Sequence, residues 1–295
     1  MPRISLAACV MLVAAPALAD APSVATTTYP LAYFAERLTG GEATIVFPVP
    51  EGEDPAFWRP SIPDIAAYQA ADLILLNGAG FASWTEKTTL PRGRLIDTSR
   101  DLADGFIATE TVTHTHGDGG EHSHTGTANF LWLDPARAAV QAAAAADGLV
   151  RRAGLAEADV APRLSDLSND LAELEAAADA LSAYAAIPVI ATHPRYQYFA
   201  EATGLSIDAL DWDAGAAPSA DQLETLAERI AETGAKVLIW EAEPPAAARD
   251  AVRGLGLADA VVPSLANRPD NGDFLGVYAT GLADLTAAFE SLTDG

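Results

Sequence analysis

Short apolar runs alternate along the chain with longer stretches whose apolar positions recur every three to four residues, the signatures of buried strands and amphipathic helices. Residues 24–28 are β-branched and apolar, and Pro30 then opens a helical stretch over 31–38. A second strand is predicted at 43–48, and a helix at 61–71 with Pro63 in its first turn. Strand 72–76 ends at Asn77-Gly78, and a further short strand covers 95–97. Apolar strands alternating with helices predict parallel α/β architecture. The alternation fails between 103 and 129. Thr, Gly, Asp and His dominate there, above all over 109–127, and the pattern predicts a loop. Asp134 and Pro135 then supply an N-cap and a first helical residue for an Ala-rich helix reaching about residue 152.

The segment 157–184 contains no Gly, and its only proline, Pro162, lies near its start. Leu164, Leu167, Leu171, Leu174, Ala178 and Leu181 form one apolar face. Such a helix would extend about 40 Å, long enough to act as a spine. A second α/β unit follows, with strands at 187–192, 205–210, 236–240 and 260–262. Its helices are expected at 195–202, 220–233, 245–253 and 273–292. The predicted fold class is therefore α/β, with two α/β lobes of mainly parallel sheets joined by one long helix. The expected boundaries are 20–155 for the N-terminal lobe with a His-rich loop at 109–127, 156–185 for the linking helix, and 186–295 for the C-terminal lobe.

Residues 1–19 change this picture only at the start. Arg3, an apolar run from Ile4 and the terminal Ala17-Leu18-Ala19 have the parts of a secretory signal peptide. The run is too short to span a bilayer, which takes about 20 apolar residues. Cleavage after Ala19 predicts a soluble periplasmic protein; lipidation at Cys9 is the alternative processing. With Cys9 removed no cysteine remains, so disulfides and thiolate ligands are excluded and a metal site must use His, Asp, Glu or water. The net charge of −24 excludes nucleic-acid binding through charge and favours cations near the surface. No G-x-S-x-G, H-E-x-x-H or Gly-rich phosphate loop is present, so nothing points to an enzyme.

Several motifs occur in a telling order. Glu53-Asp54-Pro55-Ala56-Phe57-Trp58-Arg59-Pro60-Ser61 precedes Asp64-Ile65, then Ala71-Asp72-Leu73-Ile74-Leu75-Leu76-Asn77-Gly78 follows. Trp132-Leu133-Asp134-Pro135 comes next, and later Thr192-His193 with Tyr198-Phe199-Ala200 and Gly204-Leu205. In these motifs the chain resembles the periplasmic zinc- and manganese-binding proteins of metal ABC importers. The resemblance implies two lobes with the metal held between them, limited lobe motion on binding, and delivery to a membrane permease. It also implies four ligand positions, of which His193 alone matches. Ala56 and Phe130 stand where the family places histidines, and the acidic fourth position falls near Pro263-Ser264.

The remaining histidines suggest how a site is rebuilt. Four of the five lie close together, at His114, His116, His122 and His124, as two H-x-H pairs in a Gly-rich segment suited to imidazole-preferring metals. Tetrahedral zinc takes four ligands, so His122 or His124, or both, are expected to reach over the cleft to His193. Glu241 and Glu243, at the C-terminal end of a strand, and Asp273, at the start of the last helix, are the candidate carboxylates. Pairing of Glu241 or Glu243 with Arg59 or Arg268, and helix capping by Asp273, are the purely structural alternatives. Arg59 is expected to neutralise Glu53 or Asp54. The bound solute is expected to be Zn2+, with Mn2+ or another divalent metal left open. The expected partner is an importer permease, and the protein is expected to work as a monomer. The competing function is a periplasmic metallochaperone or zinc buffer that binds metal through the His-rich segment.

Overall fold

A computed structural model describes residues 21–115 and 121–292, with side chains described outside 110–125. The leader expected at 1–19 and His116 lie outside the described residues. The first unit contains β1 (Ser23–Thr26), α1 (Tyr29–Thr39), β2 (Thr44–Val46), α2 (Ile62–Ala70), β3 (Leu73–Leu76), the short α3 (Trp84–Lys87) and β4 (Leu95–Asp97). Its four strands are parallel in the order β2-β1-β3-β4. Local sequence explains the helix boundaries. Ser61 and Asp64 form a reciprocal capping box on α2, and Gly40 closes α1 in the left-handed conformation.

The antiparallel ribbon β5 (Ala108–Thr115) and β6 (Glu121–Thr127) replaces the loop expected over 109–127. Threonine occupies every second position of the first strand, at 109, 111, 113 and 115, and glycines cluster between the two strands. β-branched residues favour extended backbone and glycines favour turns, so this composition, read as polar and loop-like, suits a hairpin.

Asp134 caps α4 (Pro135–Arg151), its carboxylate accepting from Ala136 N at 2.9 Å. The long helix α5 (Glu157–Ala180) follows and ends in a 3-10 turn at Leu181–Tyr184. Its 24 residues extend about 36 Å. Val160, Leu167, Leu171, Leu174 and Ala178 are its buried face. That face packs on α1 and α4 on one side and on two helices of the second unit on the other.

The second unit contains β7 (Val189–Ala191), α6 (Gln197–Thr203), β8 (Ile207–Ala209), α7 (Ala220–Thr233), β9 (Val237–Trp240), α8 (Ala246–Gly254), β10 (Ala258–Val261) and α9 (Phe274–Ser291). Its parallel sheet has the order β10-β9-β7-β8. Read from its own first strand, this is the same 2-1-3-4 winding as the first sheet. The main apolar core runs from Val24 and Phe34 through Leu171 and Leu174 to Phe274 and Phe289, so the long helix and the two sheets share a buried interior, and a second cluster around Ile190, Leu226 and Leu238 covers the other face of the second sheet. No helix of the described residues is long and apolar enough to cross a membrane.

Candidate metal site

In open parallel sheets, ligands gather beyond the carboxyl ends of the strands where the winding reverses. Here those points are β1/β3 and β7/β9, and the chain treats both alike. After β1, Thr27 Oγ1 accepts from Asn77 N at 3.0 Å. After β7, Thr192 Oγ1 accepts from Glu241 N at 3.1 Å. Each threonine pins the residue that leaves the neighbouring strand. In the first unit that residue is the amide Asn77, held by Gln141 and the Asn129 carbonyl. It is followed by Gly78 at φ +75°, where an added Cβ would collide with Asp97 and Ser99. In the second unit the pinned residue is the carboxylate Glu241.

His193 follows Thr192 at the end of β7 and is buried. Its Nδ1 lies 3.1 Å from the Trp212 carbonyl, so a neutral ring donates there and carries its lone pair on Nε2. This backbone anchor is the kind that orients metal-binding imidazoles. Burial lowers the His193 pKa below 6.5, and the neighbouring Arg195 charge lowers it further against the pull of Glu241 and the Trp212 carbonyl. The unfolded chain therefore takes up a proton at about pH 6.5 that the folded chain resists. Stability arising from neutral His193 is complete above that pH and is lost as the pH falls through the lower folded value. Wild-type unfolding free energy is expected to fall relative to His193→Gln below about pH 6.5 and to run parallel to it above, as measured by urea denaturation across the pH range.

Arg195 dominates the electrostatics. Its side chain is 10% exposed and extends between the two units. Nη2 meets Asp54 Oδ2 at 2.5 Å, and Nη1 meets Glu241 Oε1 at 3.0 Å. Burial works against its charge, yet Glu241 and Asp54 hold its pKa above the ordinary value. Asp54 is aimed by its own turn, where Oδ1 accepts from Ala56 N at 2.9 Å. The guanidinium also lies 4.8 Å above the centre of the Phe130 ring. That ring rests on Phe81 and Trp132 at centroid separations of 5.7 and 5.0 Å. Glu241 is 6% exposed, and among the described residues its second oxygen, Oε2, has no hydrogen-bond partner.

The expected ligands fare unequally. His193 and Glu241 are neighbours at one switch point. Glu243 instead pairs with Arg249 at 3.0 Å. Asp273 caps α9, accepting from Gly276 N at 2.8 Å, with its other oxygen accepting from Tyr33 Oη at 3.4 Å. These contacts are those of the capping alternative. In the ribbon, His114 pairs with His122 and Val112 with His124. Residues two apart along a strand share a face, so positions 114, 122 and 124 fall on one face of the ribbon. Among the described residues no three His, Cys, Asp or Glu side chains converge closely enough to hold a metal ion.

The cation that meets Asp54 is Arg195, 141 positions away, rather than the expected Arg59. Nothing in the local sequence pairs them; the available signal was an arginine two residues beyond His193. Arg268, the other arginine considered, bonds Glu36 at 3.2 Å. At the expected fourth ligand position, the Ser264 carbonyl accepts from Trp132 Nε1 at 2.7 Å. No carboxylate stands there.

Two parallel sheets on one long helix, with Arg195 of the second unit bonded to Asp54 of the first, make this a two-lobed α/β protein. The profile described as "ZnuA: Zinc-uptake complex component A periplasmic" matches residues 24–288, and the chain belongs to that family. It is a family of metal carriers, in accord with the binding-protein reading over the enzyme reading. The metal-dependent lipoprotein YcdH from Bacillus subtilis is 18% identical, with a TM-score of 0.75 over 90% of this chain and 98% of that one. Zn(II)-bound AdcA from Streptococcus pneumoniae is 19% identical, with a TM-score of 0.73 over 90% of this chain and 57% of that one. The solute-binding protein FpvC from Pseudomonas aeruginosa, in complex with Mn2+, is 19% identical, with a TM-score of 0.70 over 92% and 99%. Comparison with curated proteins by sequence gives no match.

Proposed function

We propose that this chain is the exported capture component of a divalent-metal importer, with zinc as its principal cargo, and that it delivers the ion to an ABC permease. The observation that carries this reading is His193. It is a buried imidazole fixed through Nδ1 to a backbone carbonyl, beside the buried Glu241 carboxylate, at the switch point of the second sheet. Family membership and the zinc- and manganese-bound relatives support the choice of cargo. In this reading residues 1–19 are the export signal, 20–155 and 186–295 the lobes, and 156–185 the helix between them. The mature chain works as a monomer. The cleft takes His193 from the second lobe and imidazoles of the ribbon, His122 and His124 first, from the other side.

The ribbon is tested directly by deleting residues 113–125. The fold should survive, because the buried core lies outside that segment. Zinc affinity, read by competition with a chelating dye, should fall at least tenfold, about 1.4 kcal/mol. Unchanged affinity and stoichiometry would remove the ribbon from the ligand set.

A second reading is favoured by the pairing of His114 with His122 and by the carboxylates already bound to Arg195. Here the ribbon alone holds zinc, as a buffer or metallochaperone. Acid titration separates the two. Exposed imidazoles take up protons near pH 6.5, whereas His193 resists to lower pH. A ribbon-only site should lose zinc as the pH falls from about 7. A site that uses His193 should keep part of its affinity below about 6.5, and that part should vanish in His193→Ala.

A further inference from the structure

We infer that Arg195 is a tethered cation standing where the captured ion must act, and that Asp54 and Glu241 are oxygen ligands it holds in reserve. The inference rests on the metal-capture reading. It adds a residue that sets affinity and the order of events: a divalent ion enters this cleft only as Arg195 leaves the two carboxylates.

The geometry has four parts. First, one guanidinium takes a carboxylate from each side, Asp54 at 2.5 Å and Glu241 at 3.0 Å, as a divalent ion between two carboxylates would. Arginine is suited to this because its planar fork presents separate donors in fixed directions. Second, the surroundings hold the arginine and one of its partners in place. Phe130 offers a ring face to the cation at 4.8 Å, and the Ala56 amide aims Asp54. Third, one acceptor is left over. Among the described residues Glu241 Oε2 is buried without a hydrogen-bond partner, and an idle oxygen on a carboxylate more than nine-tenths buried is free to take up a cation. Fourth, the charges do not balance. Two carboxylates face one guanidinium. A dication in place of the guanidinium would cancel both carboxylates, whereas a dication beside it would face a like charge in a buried site. The arrangement therefore favours exchange over addition.

Such exchange also eases release. When the ion departs, Arg195 re-forms its two ion pairs, so neither carboxylate is left buried and unpaired. The metal-free state is thereby stabilised, and affinity is lower than the same ligands would give without the arginine.

The test compares wild type, Arg195→Gln and Arg195→Lys by zinc titration of the full mature chain, with and without His193→Ala. Arg195→Gln should bind zinc at least tenfold more tightly than wild type, and His193→Ala should cancel the gain. Arg195→Lys, which keeps the charge, should show less than half of that gain on a logarithmic scale. Metal-free Arg195→Gln should melt below wild type and recover more on zinc addition. A folded Arg195→Gln protein with equal or weaker affinity overturns the inference and leaves the metal-capture reading standing. Absence of zinc binding in both wild type and variant overturns both. Should Arg195→Gln not fold, the zinc-saturated crystal structure of the wild type decides. Arg195 displaced from Glu241 supports the exchange, and an intact Arg195–Glu241 pair beside a bound ion overturns it.

Discussion

His193→Ala is expected to weaken zinc binding by about 3–4 kcal/mol, a factor of several hundred. Small four-ligand zinc sites carry apparent binding energies of about 10 kcal/mol or more, and one ligand's share is of that size. The ring is already fixed by the Trp212 carbonyl, so wild type loses little rotamer freedom on ligation. An alanine removes the ligand, and mobile water is a poor replacement. The fold should persist, because the strand end is still pinned by Thr192 to Glu241 and Trp212 to Thr192. Isothermal titration of the metal-free protein gives the result. If the ribbon alone binds, His193→Ala will match wild type, while combined His122→Ala and His124→Ala will abolish binding. That outcome would replace capture in the cleft with the buffer reading.

The elements that could be read from the chain were those with strong local signals. Helix α7 lies where helical spacing placed it, because Ser219 and Gln222 mark its start and Gly234 its end. The spine was legible from its heptad-like leucines, and its burial follows that stripe. The ribbon was not, because threonines and glycines signal both loops and hairpins, and only cross-strand register separates the two. The site divided in the same way. Glu241 could be placed because acids at the carboxyl ends of parallel strands sit near ligand clefts. Asp273 reads two ways because helix capping and metal ligation use the same residue types. Arg195 escaped notice because its partners are brought to it by the 2-1-3-4 winding of two sheets, and winding order is not written in any local pattern.

Positions that depart from the family's ligand pattern thus acquire a physical account. Phe130 is part of an arginine seat, and the loop after β10 offers carbonyls to the first unit in place of a carboxylate. Ser264 O receives Trp132 Nε1, and Ala266 O receives Tyr29 N. Asn267 Nδ2 donates to Pro50 O and Glu53 O at 2.7 Å each, tying this loop to the segment that carries Asp54. Leu265, in the middle of the loop, adopts φ 55°, an uncommon conformation for a bulky residue that the surrounding bonds and its own burial maintain. The joint between the units is therefore fixed by directional bonds as well as by apolar contact. Metal capture here is expected to move side chains more than lobes.

Trp132→Ala is expected to cause the largest loss of fold stability, about 4–6 kcal/mol. The indole is fully buried, with Phe81 at 5.5 Å and Phe130 at 5.0 Å between ring centroids. Truncating a buried aromatic to alanine typically costs about 3–5 kcal/mol. The Ser264 carbonyl also loses its 2.7 Å donor in a buried setting, which adds about 1 kcal/mol or more. For a chain of this size the midpoint of thermal unfolding should fall by about 10 °C. Trp132→Phe separates the contributions, since it retains most of the bulk and loses the indole donor; its cost should be about 1–2 kcal/mol. Guanidinium denaturation of the three metal-free proteins measures both. Equal losses in the two variants would assign the effect to the hydrogen bond alone. A loss below about 1 kcal/mol for Trp132→Ala would show that the joint does not depend on this residue. Because Phe130 rests on Trp132 and Arg195 rests on Phe130, the alanine variant should also loosen the arginine from its carboxylates. Its remaining folded fraction is then expected to bind zinc no more weakly than wild type, which sets it apart from a variant that has lost a ligand.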